Sequence, residues 1–455
     1  MKDRGSTLTV ISLTVFGVLG CTVAGEAASP RNYLERSPNG RYLQWQDGTP
    51  FYIHADTAWA LPRDYSRDEV IGYLDKTVEQ KFSAVQMSAV FHAVRPNQDL
   101  MGPAFHEGDF LRPKENYWAN VDWVVEQTTR RGLVAILNPI WKKQLAAAIG
   151  DNGPEKSRAY GRWFAGRYND NPRVIYFLGG DAVPDPVRKE IIAMGEGVQD
   201  VYEGRAIVAY HSASDTTSFD AFGDRPSWLT LNWTYSYCPR YRKTYPYEQH
   251  WRTFKEHPPM PFQFGEGYYD FGAARDYGIH HVNTRFGDRY AVRRQAWWAS
   301  FVTGSAGHAY GAEAIWHHNR EGETWRAALQ YPSRQDMMRK KNLLDQIPWW
   351  TLRPDMENVV LVGGYGTWRT DEFAVAAVSE DRKLAVVYTP VRHALQLDLG
   401  GLATGRIEAR WFDPTSGASS SPNGWNVGSQ GLVTVQSPEK NSAGDADHVL
   451  VLTVQ

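Results

Sequence analysis

The chain contains little cysteine, and this scarcity excludes two kinds of architecture. Only 2 of its 455 residues are Cys, at positions 21 and 238. Cys21 lies in an N-terminal segment that we expect to be removed or lipidated, which leaves Cys238 without a partner. A disulfide framework and a cysteine-based metal site are therefore ruled out. An unpaired, partly buried thiol is the simplest interpretation of Cys238.

The chain also lacks an excess of one charge and the common metal and phosphate motifs. It has 49 Lys and Arg against 51 Asp and Glu, a formal net charge of -2, so no nucleic-acid partner is expected. There is no HExxH motif, EF-hand loop or glycine-rich phosphate loop. The adjacent pairs His280-His281 and His317-His318 are poorly placed to share a metal, because neighbouring strand residues point to opposite faces. We expect neither a metal nor a cofactor.

Long apolar runs are missing except at the N-terminus. Lys2 and Arg4 precede an apolar run from Leu8 to Gly20, which is too short to span a bilayer and is typical of a secretion signal. Val18-Leu19-Gly20-Cys21 resembles a bacterial lipobox with Cys21 as the lipidated residue, whereas Ala24 to Ser29 offers ordinary cleavage sites. Both alternatives predict export, as a periplasmic or cell-surface lipoprotein or as a secreted protein. A lipid on Cys21 is the only membrane contact expected, and residues 1–29 are treated as the signal.

From Phe51 to Gln346 the chain alternates short apolar runs with amphipathic stretches, which is the pattern of βα units. Ser66 and Glu69 match a capping box at the start of one helix. The fifth unit, between His211 and Trp228, is short and rich in Ser, Thr and Asp, so no clear helix is predicted there. The eight predicted strands are Tyr52–Thr57, Ala84–Val90, Val134–Ile140, Val174–Gly180, Ile207–His211, Leu229–Tyr235, Pro261–Gly267 and Gly307–Gly311. Since a doubly wound sheet rarely needs so many units, we predict a (β/α)8 TIM barrel over residues 30–348.

After Pro348 the helical pattern ends and short strands alternate with turns rich in Gly, Pro, Asp and Ser. The predicted strands are Val359–Val362, Phe373–Val378, Leu384–Tyr388, Leu395–Leu399, Ile407–Phe412, Leu432–Val435 and Val449–Val454. Seven short strands at this spacing predict a small antiparallel β-sandwich over residues 349–455.

Two carboxylates stand at strand ends, where a TIM barrel has its active site. Asp181 follows strand four after two glycines, and Glu266 ends strand seven between two glycines. A charge at the end of a buried strand is costly unless it is solvated, paired or used in function. We expect strands four and seven to face each other across the barrel, so that the pair flanks a glycosidic bond. A salt-bridged position on the barrel rim is the competing interpretation of each.

Further polar and aromatic residues near strand ends are candidates for binding sugar. Asp56 either holds a sugar hydroxyl or pairs with a basic neighbour, and histidines can bind hydroxyls although a single histidine is more often structural. Tryptophans near strand ends either stack on sugar rings or pack the barrel. The candidate substrate-binding residues are His54, Asp56, Trp59, His92, Asn138, Trp141, Tyr235, His308, Tyr310 and Trp316.

Several of these segments, in the same order, resemble the apiosidase-like glycoside hydrolases. The similar segments are His54-Ala55-Asp56-Thr57-Ala58-Trp59, Asn138-Pro139-Ile140-Trp141, Arg167-Tyr168-Asn169, Gly179-Gly180-Asp181, Pro261–Gly267 and Gly307–Gly311 with Trp316. The segment Trp411-Phe412-Asp413-Pro414 with Gly417 looks like the small β domain that accompanies this barrel and that has carried a collagen-binding label. The resemblance implies that Asp181 is the acid/base and Glu266 the nucleophile. It also implies a retaining outcome, for which the carboxyl groups lie about 5–5.5 Å apart.

Some segments depart from the family pattern. Tyr176-Phe177-Leu178 stands where a Trp commonly precedes Gly-Gly-Asp, and both Thr230–Cys238 and the loop Pro96–Pro113 are unlike the family. Since such loops form the sugar pocket, the resemblance implies the hydrolase class but not specificity for apiose.

The predicted function is therefore a glycosidase acting on a complex polysaccharide or oligosaccharide. In this mechanism Asp181 protonates the leaving oxygen, so it must hold a proton near neutral pH, which burial or a nearby negative charge favours. The alternative is a non-catalytic surface protein that binds glycan or matrix, but adhesion does not require two carboxylates at strand ends. A barrel lyase is a third interpretation, and the base and cation that lyases usually use do not stand out.

Overall fold

A small antiparallel sheet precedes the barrel in the computed structural model. The structure describes Met1 and residues 32–92, 102–236, 244–267, 269–270, 289–319, 323–422 and 431–455. The first strands are β1 (Leu34–Arg36), β2 (Leu43–Trp45) and β3 (Pro50–Phe51). The predicted signal, Cys21 and Cys238 lie outside the described residues, and in the part that is described no helix has the length and apolarity to cross a membrane.

Eight parallel strands form the predicted barrel. They are β4 (Ile53–Thr57), β5 (Ala84–Ser88), β6 (Val134–Asn138), β7 (Val174–Gly179), β8 (Val208–His211), β9 (Asn232–Ser236), β10 (Phe262–Gly267) and β11 (Gly307–Gly311). Their order in the sheet is β8-β7-β6-β5-β4-β11-β10-β9. Across the remaining gap, the N–H groups of Thr230 and Leu231 donate to the Val208 carbonyl at 2.9 and 3.1 Å. The barrel is thus nearly closed, and the predicted fold class is confirmed.

Helices follow the strands. They are α1 (Leu61–Asp64), α2 (Arg67–Glu79), α3 (Glu115–Arg130), α4 (Lys142–Gly166), α5 (Arg188–Tyr202), α6 (Ser218–Phe222), α7 (Pro246–Phe254), α8 (Arg289–Trp298), α9 (Glu313–Trp316), α10 (Trp325–Ala328) and α11 (Pro332–Leu344). The capping box of Ser66 and Glu69 is present at the start of α2. The fifth unit contains the short α6, which begins with a capping box of Thr217 and Asp220. This helix has only 5 residues, too few to show a periodic pattern in the sequence.

Side chains along the barrel strands alternate between two cores, as the two-residue period of a strand requires. One set, including Ile136, Phe177 and Trp233, fills the barrel interior. The other set, including Leu137 and Tyr176, packs outward against the helices. A residue's position in this alternation therefore decides whether it can reach the mouth of the barrel.

The C-terminal region is all β, as predicted. Its strands are β12 (Leu352–Pro354), β13 (Leu361–Gly363), β14 (Val375–Ser379), β15 (Leu384–Thr389), β16 (Ala394–Asp398), β17 (Ile407–Phe412), β18 (Ser419–Ser420), β19 (Leu432–Gln436) and β20 (His448–Val454). They form an antiparallel six-stranded sheet, β12-β14-β15-β20-β17-β18, and a three-stranded sheet, β13-β16-β19. Residues of both sheets, such as Val387, Leu395 and Leu450, share one core.

The other face of the six-stranded sheet packs on the barrel. Trp298 of α8 and Leu343 of α11 lie in one buried cluster with Val386 and Val449 of the sheet, and Trp298 Nε1 donates to the Phe373 carbonyl at 2.9 Å. Residues from Asn32 to Gln455 form a single contact unit. The division at residue 348 into two domains stays a prediction.

A buried arginine joins the two regions. Arg293 of α8 is 0% exposed. Its guanidinium donates to Asp336 of α11 at 2.9 Å and to Asp447 of the β region at 2.8 and 2.6 Å. It also reaches Asp445 at 2.9 Å. Buried charges are tolerated only when they are paired. Asp336 is also paired with Arg289 at 2.7 Å, so Asp447 is the buried carboxylate that depends on Arg293.

We expect Arg293→Met to destabilise the whole chain, because it leaves the buried carboxylate of Asp447 without its arginine partner. The expected loss is about 3–5 kcal/mol of the free energy of unfolding, measured by urea denaturation. Arg339→Met is the control, since Arg339 contacts the same Asp336 at 3.0 Å from a side chain that is 25% exposed. It should cost less than about 1 kcal/mol. Equal losses in the two variants would contradict the buried-pair explanation.

Candidate active site

A β-bulge turns Glu266 into the mouth of the barrel. Phe264 pairs with Thr234 of β9, but the next pair is Glu266 with Tyr235, so the register shifts by one residue. Phe264 points outward and stacks on His308. Strict alternation would point Glu266 outward as well, whereas the bulge aims it inward beside Tyr235. Bulges commonly re-aim a side chain next to an active site.

Asp181 reaches the same region from the end of β7. The strands β8 and β9 separate β7 from β10 on the shorter way round the barrel. The prediction that these two strands face each other directly is therefore wrong: three steps separate them, not the four of opposite strands. The two carboxylates lie on the same side of the rim, where one residue can contact both segments.

His211, the last residue of β8, is that residue. Its Nδ1 accepts a hydrogen bond from the backbone N–H of Asp181 at 2.8 Å, and its Nε2 lies 2.5 Å from Oε2 of Glu266. A backbone N–H can only donate, so Nδ1 carries a lone pair and the proton of the neutral ring lies on Nε2. His211 therefore donates to Glu266.

The second carboxyl oxygen of Glu266 is also occupied. Oε1 accepts a hydrogen bond from the Tyr269 hydroxyl, and the oxygen of that hydroxyl accepts from Trp59 Nε1 at 2.8 Å. The Tyr269 ring fits because residue 311 is Gly, where a Cβ would lie 1.9 Å from the ring. Both oxygens of Glu266 are thus oriented by donors that are themselves anchored.

Glu266 lies in a low-dielectric position. Its relative exposure is 6%, and burial raises its pKa above the ordinary value of 4.5. His211 opposes this shift, the negative charge of Asp181 adds to it, and the Tyr269 hydrogen bond lowers the pKa. Because burial disfavours the charged form, the carboxylate depends on its two donors to stay ionised.

Asp181 has a different environment. It sits in a left-handed backbone conformation with φ 50°, after Gly179 and Gly180 at φ 88° and 127°. Its side chain is 26% exposed and forms an ion pair with Lys143 of α4. The burial that we expected around the acid is found around Glu266 instead, whereas Asp181 is partly exposed beside a cation.

Four of the predicted sugar-binding residues lie near these carboxylates. Trp59, Trp141 and Tyr235 are 2%, 4% and 4% exposed, and Trp316 is half-buried with its ring 6.0 Å from that of Tyr269. The Trp141 and Tyr235 rings lie 5.3 and 5.4 Å from the His211 ring. They enclose the hydrogen-bonding groups, and stacking on a sugar stays a prediction for them.

Asp56 and His54 lie on the outer face of β4. Asp56 is 0% exposed and accepts from Arg334 at 2.8 Å and Tyr73 at 2.7 Å. The sequence predicted either a sugar contact or a basic partner for Asp56, and the structure shows the basic partner, Arg334. His54 stacks on Phe82 with ring centroids 4.8 Å apart, and burial lowers its pKa well below 6.5.

His308 and Tyr310 lie on the outer face of β11. His308 is 1% exposed and stacks on Phe264 at 5.9 Å; burial lowers its pKa well below 6.5. The Tyr310 hydroxyl donates to Asp270 at 3.2 Å. Strand alternation points all four of these residues, His54, Asp56, His308 and Tyr310, into the helix layer. The expectation that they contact sugar finds no support in the structure.

Asn138 ends β6, and His92 follows the end of β5. Asn138 is 0% exposed and donates to the carbonyls of Phe177 and Gly179 at 3.1 and 3.3 Å, which fixes the end of β7 below Asp181. His92 lines an apolar cavity of about 290 Å³ with Phe91 and other residues. Burial lowers the pKa of His92 to about 4, so it is neutral at physiological pH.

A larger cavity, of about 670 Å³, is lined by Tyr33, Tyr176 and Tyr202 and by the amino ends of β7 and β8. It therefore opens on the barrel face opposite the carboxylates and takes no part in this site. Among the described residues, no group of three or more His, Cys, Asp and Glu is arranged to hold a metal ion.

Three residues of the site were missed in the sequence. His211 is the last residue of the fifth predicted strand, and the strand-end rule that selected Asp181 applies to it equally. Tyr269 follows Glu266 by three positions but lies beyond the strand. Lys143 gives no signal, because nothing in the sequence shows that the start of α4 turns toward Asp181.

Comparisons with known proteins agree on the class of protein that this chain resembles. The family model "Apiosidase-like, catalytic domain" matches residues 37–351. The model "Putative collagen-binding domain of a collagenase" matches residues 365–453. No curated protein sequence matches the chain.

Solved structures resemble the whole described fold. One structure titled a glycoside hydrolase has a TM-score of 0.79 and 25% identity, over 93% of this chain and 97% of that one. A glycoside hydrolase family 5 protein from Bacteroides vulgatus has a TM-score of 0.78 and 24% identity, over 93% of both chains.

We expect Gly180→Ala to destabilise the protein and displace Trp141. Its φ of 127° is rarely adopted by L side chains, and a Cβ there would lie 2.6 Å from the Trp141 ring. The expected cost is about 1–3 kcal/mol of the free energy of unfolding, followed by urea denaturation with tryptophan fluorescence. Gly166→Ala in α4 is the control, because its Cβ meets nothing within 4 Å; it should be neutral or stabilise by up to about 1 kcal/mol. If both variants unfold like the parent, neither the backbone angle at residue 180 nor its closeness to Trp141 requires glycine there.

Proposed function

Because the chain belongs to the apiosidase-like family of glycoside hydrolases, we propose that it cleaves glycosidic bonds of a complex polysaccharide or oligosaccharide by a retaining mechanism that uses Asp181 and Glu266. One observation carries this proposal: Glu266 is buried at the barrel mouth, and both of its oxygens accept from anchored donors. His211, one of these donors, also contacts the backbone of Asp181.

In the first step, an oxygen of Glu266 attacks the anomeric carbon while Asp181 gives its proton to the leaving oxygen. The glycosidic bond breaks, and a glycosyl ester of Glu266 forms. In the second step, Asp181 takes a proton from water, which attacks the anomeric carbon and releases Glu266. Two inversions leave the configuration of the sugar unchanged.

The environments of the two carboxylates support these roles. A nucleophile must be ionised and held in one orientation, and the donors from His211 and Tyr269 favour both for Glu266. Asp181 is more exposed, as a group that meets both the leaving oxygen and water must be. Lys143 pairs with the Asp181 carboxylate, so we expect Lys143 to move aside when the leaving oxygen approaches Asp181. The Lys143 side chain is 51% exposed, which allows this movement.

We also propose that the protein is exported and anchored by a lipid on Cys21. The charged start, the short apolar run and Val18-Leu19-Gly20-Cys21 support this proposal. A polymeric substrate that cannot enter the cell is consistent with such a location.

We expect Glu266→Gln and Asp181→Asn each to lower the turnover number by at least about 100-fold. The protein from residue 29 onward is first screened on plant and microbial polysaccharides and aryl glycosides, with released sugar read by chromatography. Proton NMR of the first product formed should show the same anomeric configuration as the substrate.

The matched controls are Glu256→Gln and Asp185→Asn, which change carboxylates that are 44% and 60% exposed and paired to surface arginines. They should keep parental turnover. Inverted product would refute the retaining mechanism, and variants as active as the parent would refute the site. Release of no sugar, together with equal glycan binding by all variants, would instead indicate a binding protein.

For the anchor, we expect the mature protein expressed in a bacterium to begin at a lipidated Cys21, as read by mass spectrometry, and to partition into the membrane fraction. Cys21→Ser should move it to the soluble fraction, whereas Cys238→Ser should change nothing. A mature N-terminus between residues 24 and 30 would refute the anchor and leave export intact. Retention of an uncleaved chain in the cytoplasm would refute export.

A further inference from the structure

We propose that His211 is a positioning residue, a neutral hydrogen-bond donor of fixed orientation that keeps Glu266 ionised and ties it to the backbone of Asp181. The effect of His211 on catalysis rests on the proposed function. Its tautomer and its effect on Glu266 rest only on the contacts of the ring. It gives His211 no role in transferring protons to substrate.

The tautomer follows from the partners of the ring. Nδ1 accepts the Asp181 backbone N–H at 2.8 Å, and a backbone N–H has no lone pair to offer in return. The ring proton must therefore lie on Nε2, which is 2.5 Å from Glu266 Oε2. A proton on Nδ1 would place two N–H groups against each other, so the hydrogen bond from the Asp181 backbone requires an unprotonated Nδ1.

Packing prevents the ring from turning away. His211 is 0% exposed, and the Trp233, Trp141 and Tyr235 rings lie 4.8, 5.3 and 5.4 Å from it. A flip of the ring would aim carbon atoms at both partners and leave the Asp181 N–H and a buried carboxylate without a hydrogen bond. Such losses are costly in a buried site.

Besides burial, three groups in the described part of the chain act on the charge of Glu266. Tyr269 donates to Oε1 from the loop after β10, His211 donates to Oε2 from β8, and the charge of Asp181 after β7 acts against ionisation. Of these, only His211 connects Glu266 to the segment that bears Asp181. Loss of its donor should therefore make Glu266 bind a proton more readily while Tyr269 remains in place.

Two substitutions separate the donor from the acceptor of His211. His211→Gln keeps an N–H group near the position of Nε2, and His211→Asn keeps an acceptor near that of Nδ1 but removes the donor to Glu266. The full chain is labelled with ¹³C at the glutamate carboxyl carbons, and the Glu266 signal is assigned from its absence in Glu266→Gln. Its titration is followed by NMR.

We expect His211→Asn to raise the midpoint of the Glu266 titration by about 1 pH unit or more, because it removes a hydrogen bond to a charged group. His211→Gln should leave the midpoint within about 0.5 unit of the parent. On any substrate found, the acid limb of kcat/KM should move with the midpoint, and His211→Gln should retain more turnover than His211→Asn. An unchanged midpoint in both variants, or the same shift in both, overturns the proposal.

The parent protein supplies a measurement that does not depend on how the variants fold. At neutral pH the ¹⁵N NMR signals of the His211 imidazole should show a protonated Nε2 and an unprotonated Nδ1. The opposite tautomer, or an imidazolium, overturns the proposal. Since neither NMR experiment needs a substrate, their outcome is independent of whether the predicted glycosidase activity is found.

Discussion

The structure of the site depends on keeping one buried carboxylate ionised. Glu266 lies where burial raises its pKa, so its charge persists only if both oxygens receive strong hydrogen bonds. The residues around it follow from this need. His211 and Tyr269 donate, Trp59 orients Tyr269, and Gly311 makes room for the tyrosine ring.

Strand alternation in the sequence predicts the barrel well and the site only in part. Apolar runs and strand ends located all eight strands, together with Asp181, because both signals are local. Which side chains of β10 point into the barrel is not a local property of the sequence. The bulge before Glu266 depends on how β10 pairs with β9, and without it Glu266 would point into the helix layer. His54 and His308 do point there, because β4 and β11 pair in uninterrupted register. A polar residue at a strand end is thus a candidate for the active site only when its side chain is known to point into the barrel.

The β region packs on the barrel through an extensive buried core. Its six-stranded sheet has a core on each face: one face packs on the smaller sheet and the other on α8 and α11. Arg293 of α8 adds an ionic link, because it contacts both Asp336 of the barrel and Asp447 of the β region. The sequence predicted the barrel and the all-β region but not this contact. A buried arginine in a helix differs from a surface arginine only through partners that lie far away in the chain.

The aromatic residues that suggested sugar binding in the sequence also enclose the polar groups of the site. Trp141 and Tyr235 are almost fully buried, and they exclude water from the contact between His211 and Glu266. A hydrogen bond is electrostatically stronger in such a medium, and an unpaired group there is more costly. The same packing that raises the cost of the Glu266 charge therefore strengthens the hydrogen bonds that stabilise it. Aromatic content near strand ends reflects this enclosure as much as it reflects recognition of a sugar ring.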